Sequence, residues 1–324
     1  MHQISLIPHR SLFELSKKHG PLMLLQLSSI LTLVVSSPST AREIMRTHDL
    51  IFASRPSLKA ARILLYNNND MAFAPYGEYW RQTRKICVTN LLSLKMIQSF
   101  SLVRMEEVSL MIKRIARMDS ANNGVVCVSE ILNTLTCDVL CKSILGDMIV
   151  AGTDTSLALL DWCMVELIRN PTVMEKVQSE VRGIAYGEEK VREEYLGKLS
   201  YMKAVIKEVL RLHPPVPLIL PRESLQDCQI QEYNIPKKTR VLINAWAIGR
   251  DGHDFHYIPF GAGRRICPGI QFAIAIVELA LANLVYRFNW KLPSGISSDG
   301  MDMEDSARIT TPRKEKLYLV PLAI

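Results

Sequence analysis

Apolar and polar positions alternate along this chain mostly with the period of a helix that buries one face. The pattern predicts helices over "YGEYWRQTRKICVTNLLS", "SFSLVRMEEVSLMIKRIARM" and "SYMKAVIKEVLRL", the last stopped by the breaker "HPP". "SPSTAREIMRTHD" opens on a capping residue and runs on in helix formers. "ILNTLTCDVLCKSILG" and "DMIVAGTDTSLALLDWCMVELIRN" are both helical in pattern and meet with no turn cluster between Gly146 and Asp147. Pro171 ends the second and can serve as the first residue of "PTVMEKVQSEVRGI", where a missing N–H does no harm. The last long helix is "GIQFAIAIVELALANLVYRF".

Strand signals are few and short. The apolar run at 21–38 carries Gln26 and several serines, which suits two short paired strands better than a spanning helix. "TRVLINAW" (239–246) and "KLYLVPL" (316–322) are the others. The expected fold is mainly α with small β-sheets, and residues 1–324 are expected to form a single domain.

Composition narrows the function. Hydrophobic residues make up 48% and charged residues 22%, a globular balance. The net charge of +7 is scattered, with no basic block interleaved with aromatics. That argues against nucleic acid and suits an acidic partner protein or an anionic membrane surface. Seven cysteines occur without a CxxC, so neither a zinc site nor a disulfide framework is expected, and a reducing compartment is. Most of these cysteines, Cys137 and Cys141 among them, are expected to be small core residues. The first twenty residues have no apolar core of a signal peptide or anchor.

Chemistry gathers around Cys267, in "FGAGRRICPG" (260–269). A thiolate is the reactive form of cysteine, and two features favour it here. Arg264 and Arg265 are adjacent cations, and the helix that follows presents unpaired amides and a partial positive charge at its start. Gly261, Gly263 and Gly269 let the backbone approach a flat or bulky group. Covalent catalysis would need a base, and only His253 and His256 lie near in sequence. Axial ligation of a haem iron would use the arginines for the propionates. An inert cysteine in a glycine-rich turn is the third reading of these residues taken alone.

Three other stretches carry weaker signals. In "KEVLR", Glu208 and Arg211 are spaced to pair on one helix face, as countless surface pairs are. In "AGTDTS", Gly152 weakens an apolar helix, Thr153 and Thr155 can bond to carbonyls one turn back, and Asp154 needs water or a partner. In "WRQTR", Trp80 and Arg84 stand one turn apart, which by itself reads as a packing pair.

Together, and in this order, these stretches resemble the cytochrome P-450 monooxygenases. Phe260, Gly263, Arg265, Cys267 and Gly269 meet every required position of that family's haem-binding signature. The resemblance covers the whole chain and is nearest to the plant microsomal type, as in "GPLMLL", "THDLIFASRP" and "NAWAIGRD". It implies a haem b cofactor with Cys267 as axial ligand, and propionates held by Trp80, Arg84, Arg265 and Arg222. It implies that Asp154 and Thr155 relay protons and that Glu208 and Arg211 form a buried pair behind the haem, holding the cysteine loop. Val216, Leu218 and Leu220, in a strand after the helix "SYMKAVIKEVLRL", would line the substrate pocket. The implied reaction inserts one oxygen atom of O2 into a small lipophilic substrate. Electrons would come from NADPH only indirectly, through a reductase or a cytochrome b5 type donor, and no nucleotide-binding fingerprint appears in this chain. The implied location is the cytosolic face of the endoplasmic reticulum membrane, or the cytosol without an anchor. The acid–alcohol pair Asp154 and Thr155 argues against a haem-thiolate isomerase.

The chain is roughly a third shorter than that family's pattern. By that pattern three pieces are expected to be absent: an anchor and proline-rich hinge before residue 1, roof helices over the pocket between Gly146 and Asp147, and an arginine-bearing segment between Asp251 and Gly252. The alternative to an active monooxygenase is therefore an impaired or haem-free homologue with an open distal face.

Overall fold

The computed structural model describes residues 4–65, 67–118, 124–143, 147–250 and 257–324. The junction at Gly146, the pair Asp251 and Gly252, and His253 and His256 lie outside the described residues. From the N-terminus the chain forms α1 (Pro8–His19), β1 (Leu22–Leu27), β2 (Ile30–Val35), α2 (Pro38–Arg42), α3 (Lys59–Leu64), α4 (Glu78–Ile86), α5 (Leu94–Ser99) and α6 (Ser101–Met118). Then come β3 (Val126–Cys127), α7 (Val128–Ser143), α8 (Asp147–Arg169), α9 (Pro171–Ile184), α10 (Glu193–Leu196) and α11 (Ser200–Leu212). The last stretch holds β4 (Arg222–Glu223), β5 (Cys228–Ile230), β6 (Tyr233–Ile235), β7 (Arg240–Ile243), α12 (Ala245–Ile248), α13 (Ile270–Arg287), β8 (Phe288–Lys291) and β9 (Tyr318–Ala323). This is the mainly α fold with small sheets that the apolar periodicity predicted.

Contacts divide the chain into two units, each discontinuous in sequence. The first comprises residues 1–91 and 216–268, the second 92–215 and 269–324.

The first unit is built on a sheet of order β1-β2-β7-β4. β1 and β2 pair antiparallel from Leu22↔Val35 to Leu27↔Ile30, as the broken apolar run at 21–38 predicted, while β2 and β7 run parallel. Leu33, Val35, Val241 and Ile243 put their side chains into one cluster with Ile44, Met45 and Phe52, the segment after α2. α2 starts as expected, with the Ser37 hydroxyl accepting from the Thr40 N–H at 3.4 Å. It then widens into a π-helical turn, Glu43–Thr47. The strand expected over 239–246 stops at Ile243. The Asn244 side chain accepts from the Ala247 N–H at 3.1 Å and starts α12 instead. The strand expected after α11 shrinks to Arg222–Glu223, because Pro214, Pro215, Pro217 and Pro221 remove ladder donors.

The second unit is a helical core. α13 packs on α6, α8 and α9, and α7 pairs along α8. Ile276, Val277, Leu279, Ala280, Leu281 and Leu284 of α13 are at most 1% exposed. Among the described residues α13 is the one helix long and apolar enough to cross a membrane, and more than half of it is buried in this core. A three-stranded sheet, β3-β9-β8, completes the unit.

The cysteines depart from expectation. Only Cys163 is fully buried, and burial pushes its thiol up. Cys141 is exposed and Cys137 half-buried, so α7 turns this pair away from the core. The faces of α7 that meet α6 and α8 are supplied instead by Ile131, Leu132, Leu135, Val139 and Leu140.

Candidate functional site

The loop that carries Cys267 is closed by its own backbone. The Cys267 N–H donates to the Phe260 carbonyl at 2.9 Å, and the Ile266 N–H to the Gly263 carbonyl at 3.0 Å. Gly261 and Gly263 take φ of +70° and +69°, a conformation that side chains disfavour. Space also forbids a side chain at Gly263, because a Cβ there would run into the Met45 carbonyl and the Asp49 carboxylate. The loop is therefore held against the π-helical turn and the residues after it. Both Asp49 oxygens accept from the Arg264 N–H, at 3.1 and 3.0 Å. Cys267 is half-buried, and α13 begins three residues after it.

Around this loop the first unit concentrates arginines. Arg265, 7% exposed, donates Nε to the Ala53 carbonyl and Nη2 to the Ala74 carbonyl, both at 2.7 Å. Its guanidinium lies 4.0 Å from the centre of the Trp80 ring. Arg222, 1% exposed, donates Nη2 to the Ala262 carbonyl at 2.7 Å and pairs with Asp49 at 3.5 Å. Arg84 donates to the Ile266 carbonyl at 2.6 Å, one residue before the cysteine. Arg55 is a fourth member, donating to the carbonyls of Ala72, Leu220 and Pro221.

These cations act on one another. Burial, then the charges of Arg222 and Arg84, push Arg265 down to about 9. Arg55 is held well below the usual guanidinium range by burial and by Arg265, Arg222 and Arg84, with Asp70 opposing. Burial lowers Arg84, and the nearby Cys267 and Cys87 sulfurs offset part of that effect. Among the described residues Asp49 and Asp70 are the carboxylates that face the cluster, so positive charge is in surplus there. Arg265 Nη1 and Arg222 Nε are buried without a hydrogen-bond partner. Unsatisfied buried donors on surplus cations beside a half-buried thiol fit a ligand that brings carboxylates and a thiolate-binding metal. The residues present thus suit an iron porphyrin with two propionates.

Trp80 has another role than the one expected. Its indole N–H donates to the Met71 carbonyl at 3.0 Å, and the buried ring supplies a face to Arg265. Leu218 also departs from expectation. It is half-buried and packs onto a small cluster of Leu12, Met23 and Val34. Val216 and Leu220 are half-buried. Phe260 is half-buried, and its carbonyl closes the cysteine loop. Gly269 directly precedes α13, and its carbonyl accepts from the Ala273 N–H at 2.9 Å.

The remaining expected residues belong to the second unit. On α8 the Thr155 hydroxyl donates to the Ala151 carbonyl one turn back, at 2.7 Å. Thr153, expected to do the same, does not, and its buried hydroxyl has no partner. Asp154 is exposed, which supplies the water a carboxylate needs. A Cβ on Gly152 would stand 3.0 Å from the Leu140 side chain, so the glycine lets α7 approach this turn closely. Glu208 and Arg211 do pair, Nε to Oε2 at 2.7 Å, but Glu208 is 55% exposed. The buried pair that the resemblance implied is therefore a partly exposed one here.

Asp49, Arg55 and Asp70 were not singled out in the sequence. Asp49 and Arg55 lie in "THDLIFASRP", where a charge at each end of an apolar run was the available signal. Asp70, whose Oδ1 accepts from the Ala72 and Phe73 amides at 2.7 and 3.0 Å, gave none.

With this geometry in place, comparisons with known proteins agree on one family. The cytochrome P450 family model matches residues 1–148 and 142–320. The two matches meet where α7 gives way to α8, the point at which the sequence reading put missing roof helices. Cytochrome P450 71A21 of Arabidopsis thaliana is 37% identical over 444 aligned positions, covering 99% of this chain and 90% of the relative. Cytochrome P450 71A1 of Persea americana is 38% identical over 454 positions, with the same coverage. Desmethyl-deoxy-podophyllotoxin synthase of Sinopodophyllum hexandrum is 37% identical, covering 98% of this chain and 88% of the relative. Alignments of that length against 324 residues leave well over a hundred positions without a counterpart in this chain. Among solved structures, a zebrafish cytochrome P450 with progesterone superposes with a TM-score of 0.87 at 20% identity, covering 98% of this chain and 99% of the other.

Proposed function

The chain belongs to the cytochrome P450 family, whose members bind haem b and act as monooxygenases fed by NADPH through a reductase, and from that membership we propose roles for its residues. Bound through a cysteine thiolate, the haem supplies the O2 chemistry, inserting one oxygen atom into a substrate. Cys267, fixed in the closed glycine loop, would hold the haem iron through its sulfur. Arg265, Arg222 and Arg84 hold the propionates, with Arg55 adding positive charge from behind. Trp80 keeps Arg265 flat against its ring, a positioning role. Asp49 ties the cysteine loop down through the Arg264 amide and excludes a side chain at Gly263. Thr155 and the water-exposed Asp154 move protons on α8. Glu208 and Arg211 brace α11. The whole chain acts as one domain.

The observation that carries this reading is the buried surplus of guanidiniums around the Cys267 loop, with donors left open on Arg265 and Arg222. By analogy with the progesterone-bound neighbour and the plant relatives, the substrate is a small lipophilic molecule. The proposed setting is the cytosolic face of the endoplasmic reticulum membrane, with a reductase or cytochrome b5 type donor.

Two observations favour a second reading, an impaired or haem-free homologue. The aligned relatives extend over positions this chain lacks, and Glu208 is exposed where the resemblance implies burial. One experiment separates the two. The purified chain is titrated with haem, its ferrous–CO spectrum recorded, and turnover of a lipophilic substrate measured with reductase and NADPH. The first reading expects one haem per chain, a thiolate-type band and product, with Thr155→Ala releasing more peroxide per product. Sub-stoichiometric haem, or a bound haem without product, supports the second.

A further inference from the structure

On α7, outside every role assigned above, Cys137 and Cys141 stand one helical turn apart, on one face of the helix. Their sulfurs are 3.9 Å from each other, with Cys141 exposed and Cys137 half-buried. We propose that this pair is a dithiol site that takes a trivalent organic arsenical.

Valence selects that class, and the geometry permits it. An arsenic(III) centre is trigonal pyramidal and holds two sulfurs somewhat closer than the 3.9 Å found here, a gap that small χ1 adjustments of the two side chains close. A zinc ion at such a separation would call for two further ligands. Among the described residues no group of three or more His, Cys, Asp and Glu side chains offers them. The nearest cation on α7, Lys142, is paired with Glu107 of α6. An organic arsenic(III) oxide carries its own third bond to carbon and requires only the two sulfurs. The step balances without an oxidant or reductant: two S–H bonds and the arsenic–oxygen bonds break, two As–S bonds form, and the oxygen leaves as water with both thiol protons. Thiols rather than thiolates suffice, which suits Cys137, whose thiol is raised by its hydrogen bond with Cys141. A disulfide is a poorer use of the pair, because it would have to draw the sulfurs to ~2.05 Å on a helix that otherwise continues unbroken.

The test uses the purified full chain, its other cysteines intact. It is treated with one equivalent of phenylarsine oxide, washed with excess 2-mercaptoethanol, and weighed by native mass spectrometry. The expected result is one phenylarsenic group per chain that survives the monothiol and leaves with 2,3-dimercaptopropanol. Cys141→Ser, at an exposed position that folding does not depend on, should lose the monothiol-resistant adduct, as should Cys137→Ser. Cys87→Ser and Cys228→Ser should keep it. Retention of the adduct in Cys141→Ser, or its release from the parent chain by monothiol alone, would overturn the proposal.

Discussion

Arg104 of the second unit and the arginine cluster of the first bury charge in opposite ways. In the second unit Arg104 and Asn283 have partners of their own, whereas buried Arg313 rests on the Asp302 carbonyl with its Nη1 left open. Arg104, 1% exposed, forks onto both oxygens of Glu193 at 2.5 and 2.9 Å and gives its remaining arm to the Ile97 carbonyl. Asn283, buried on α13, trades hydrogen bonds with both backbone groups of Val191 at 3.0 Å. In the first unit the buried arginines rest mainly on backbone carbonyls, and cations outnumber the carboxylates near them. A carbonyl satisfies a donor without neutralising its charge, so this cluster keeps a positive surplus that an added anion would offset. Arg104 is neutralised as folded, whereas the arginine cluster of the first unit is shaped for something it does not itself contain.

The largest expected effect tests what completes the first unit. Cys267→Ser should abolish the thiolate-type ferrous–CO band. An unchanged band would remove the cysteine loop from the comparison. Next, Arg104→Leu leaves Glu193 and the Ile97 carbonyl without their partner and should destabilise the chain by about 3–5 kcal/mol in urea unfolding. A loss below about 1 kcal/mol would mean that the second unit does not depend on its dedicated pairs.

Asp161 is a buried acid of the second unit, and it makes a pH test. Burial raises its carboxyl from an ordinary 3.8 to about 6, although the Ser129 hydroxyl donates to it at 2.7 Å and Arg313 opposes the shift. An acid raised on folding binds its proton more tightly in the native state. Between pH ~4 and ~6 the unfolded chain therefore holds fewer protons, and stability falls as pH rises. Asp161→Asn keeps an acceptor for Ser129 and should flatten that slope, leaving the variant up to about 3 kcal/mol more stable at neutral pH. Parallel pH profiles for parent and variant would refute this.

The smallest effect on stability should come from Arg265→Leu. It frees two carbonyls but removes a cation from a crowded positive cluster, and these changes oppose each other. Haem-free stability should move by less than about 2 kcal/mol, while haem retention through dialysis falls. Full retention would show that Arg265 is only a brace for Ala53 and Ala74.

How much of this was legible beforehand depended on range. α9 was readable to the residue because Pro171 marks its start, and the pairing of β1 with β2 followed from a polar break within one apolar run. The Glu208–Arg211 pair was set by helix spacing alone, and the structure keeps it. α1 escaped notice because its apolar side is short and the chain around it is mostly polar; Leu12 is its single fully buried apolar residue. The cysteines of α7 were misplaced because residue type says how often a side chain is buried, whereas the neighbouring helices decide which face is covered.

The sequence by itself determined the helices, the glycine loop with its cysteine and adjacent arginines, and through them the family. Those are properties of neighbours along the chain, and backbone dihedrals and apolar period encode them locally. Only the tertiary structure decided that Arg265 reaches the Ala53 carbonyl across 212 residues of sequence and that Asp49 grips the Arg264 amide across 215. It alone gave the Trp80 indole to Met71 and left positive charge in surplus around the loop. Burial and charge balance are sums over everything packed nearby, and a chain read one residue at a time does not contain that sum until it has folded.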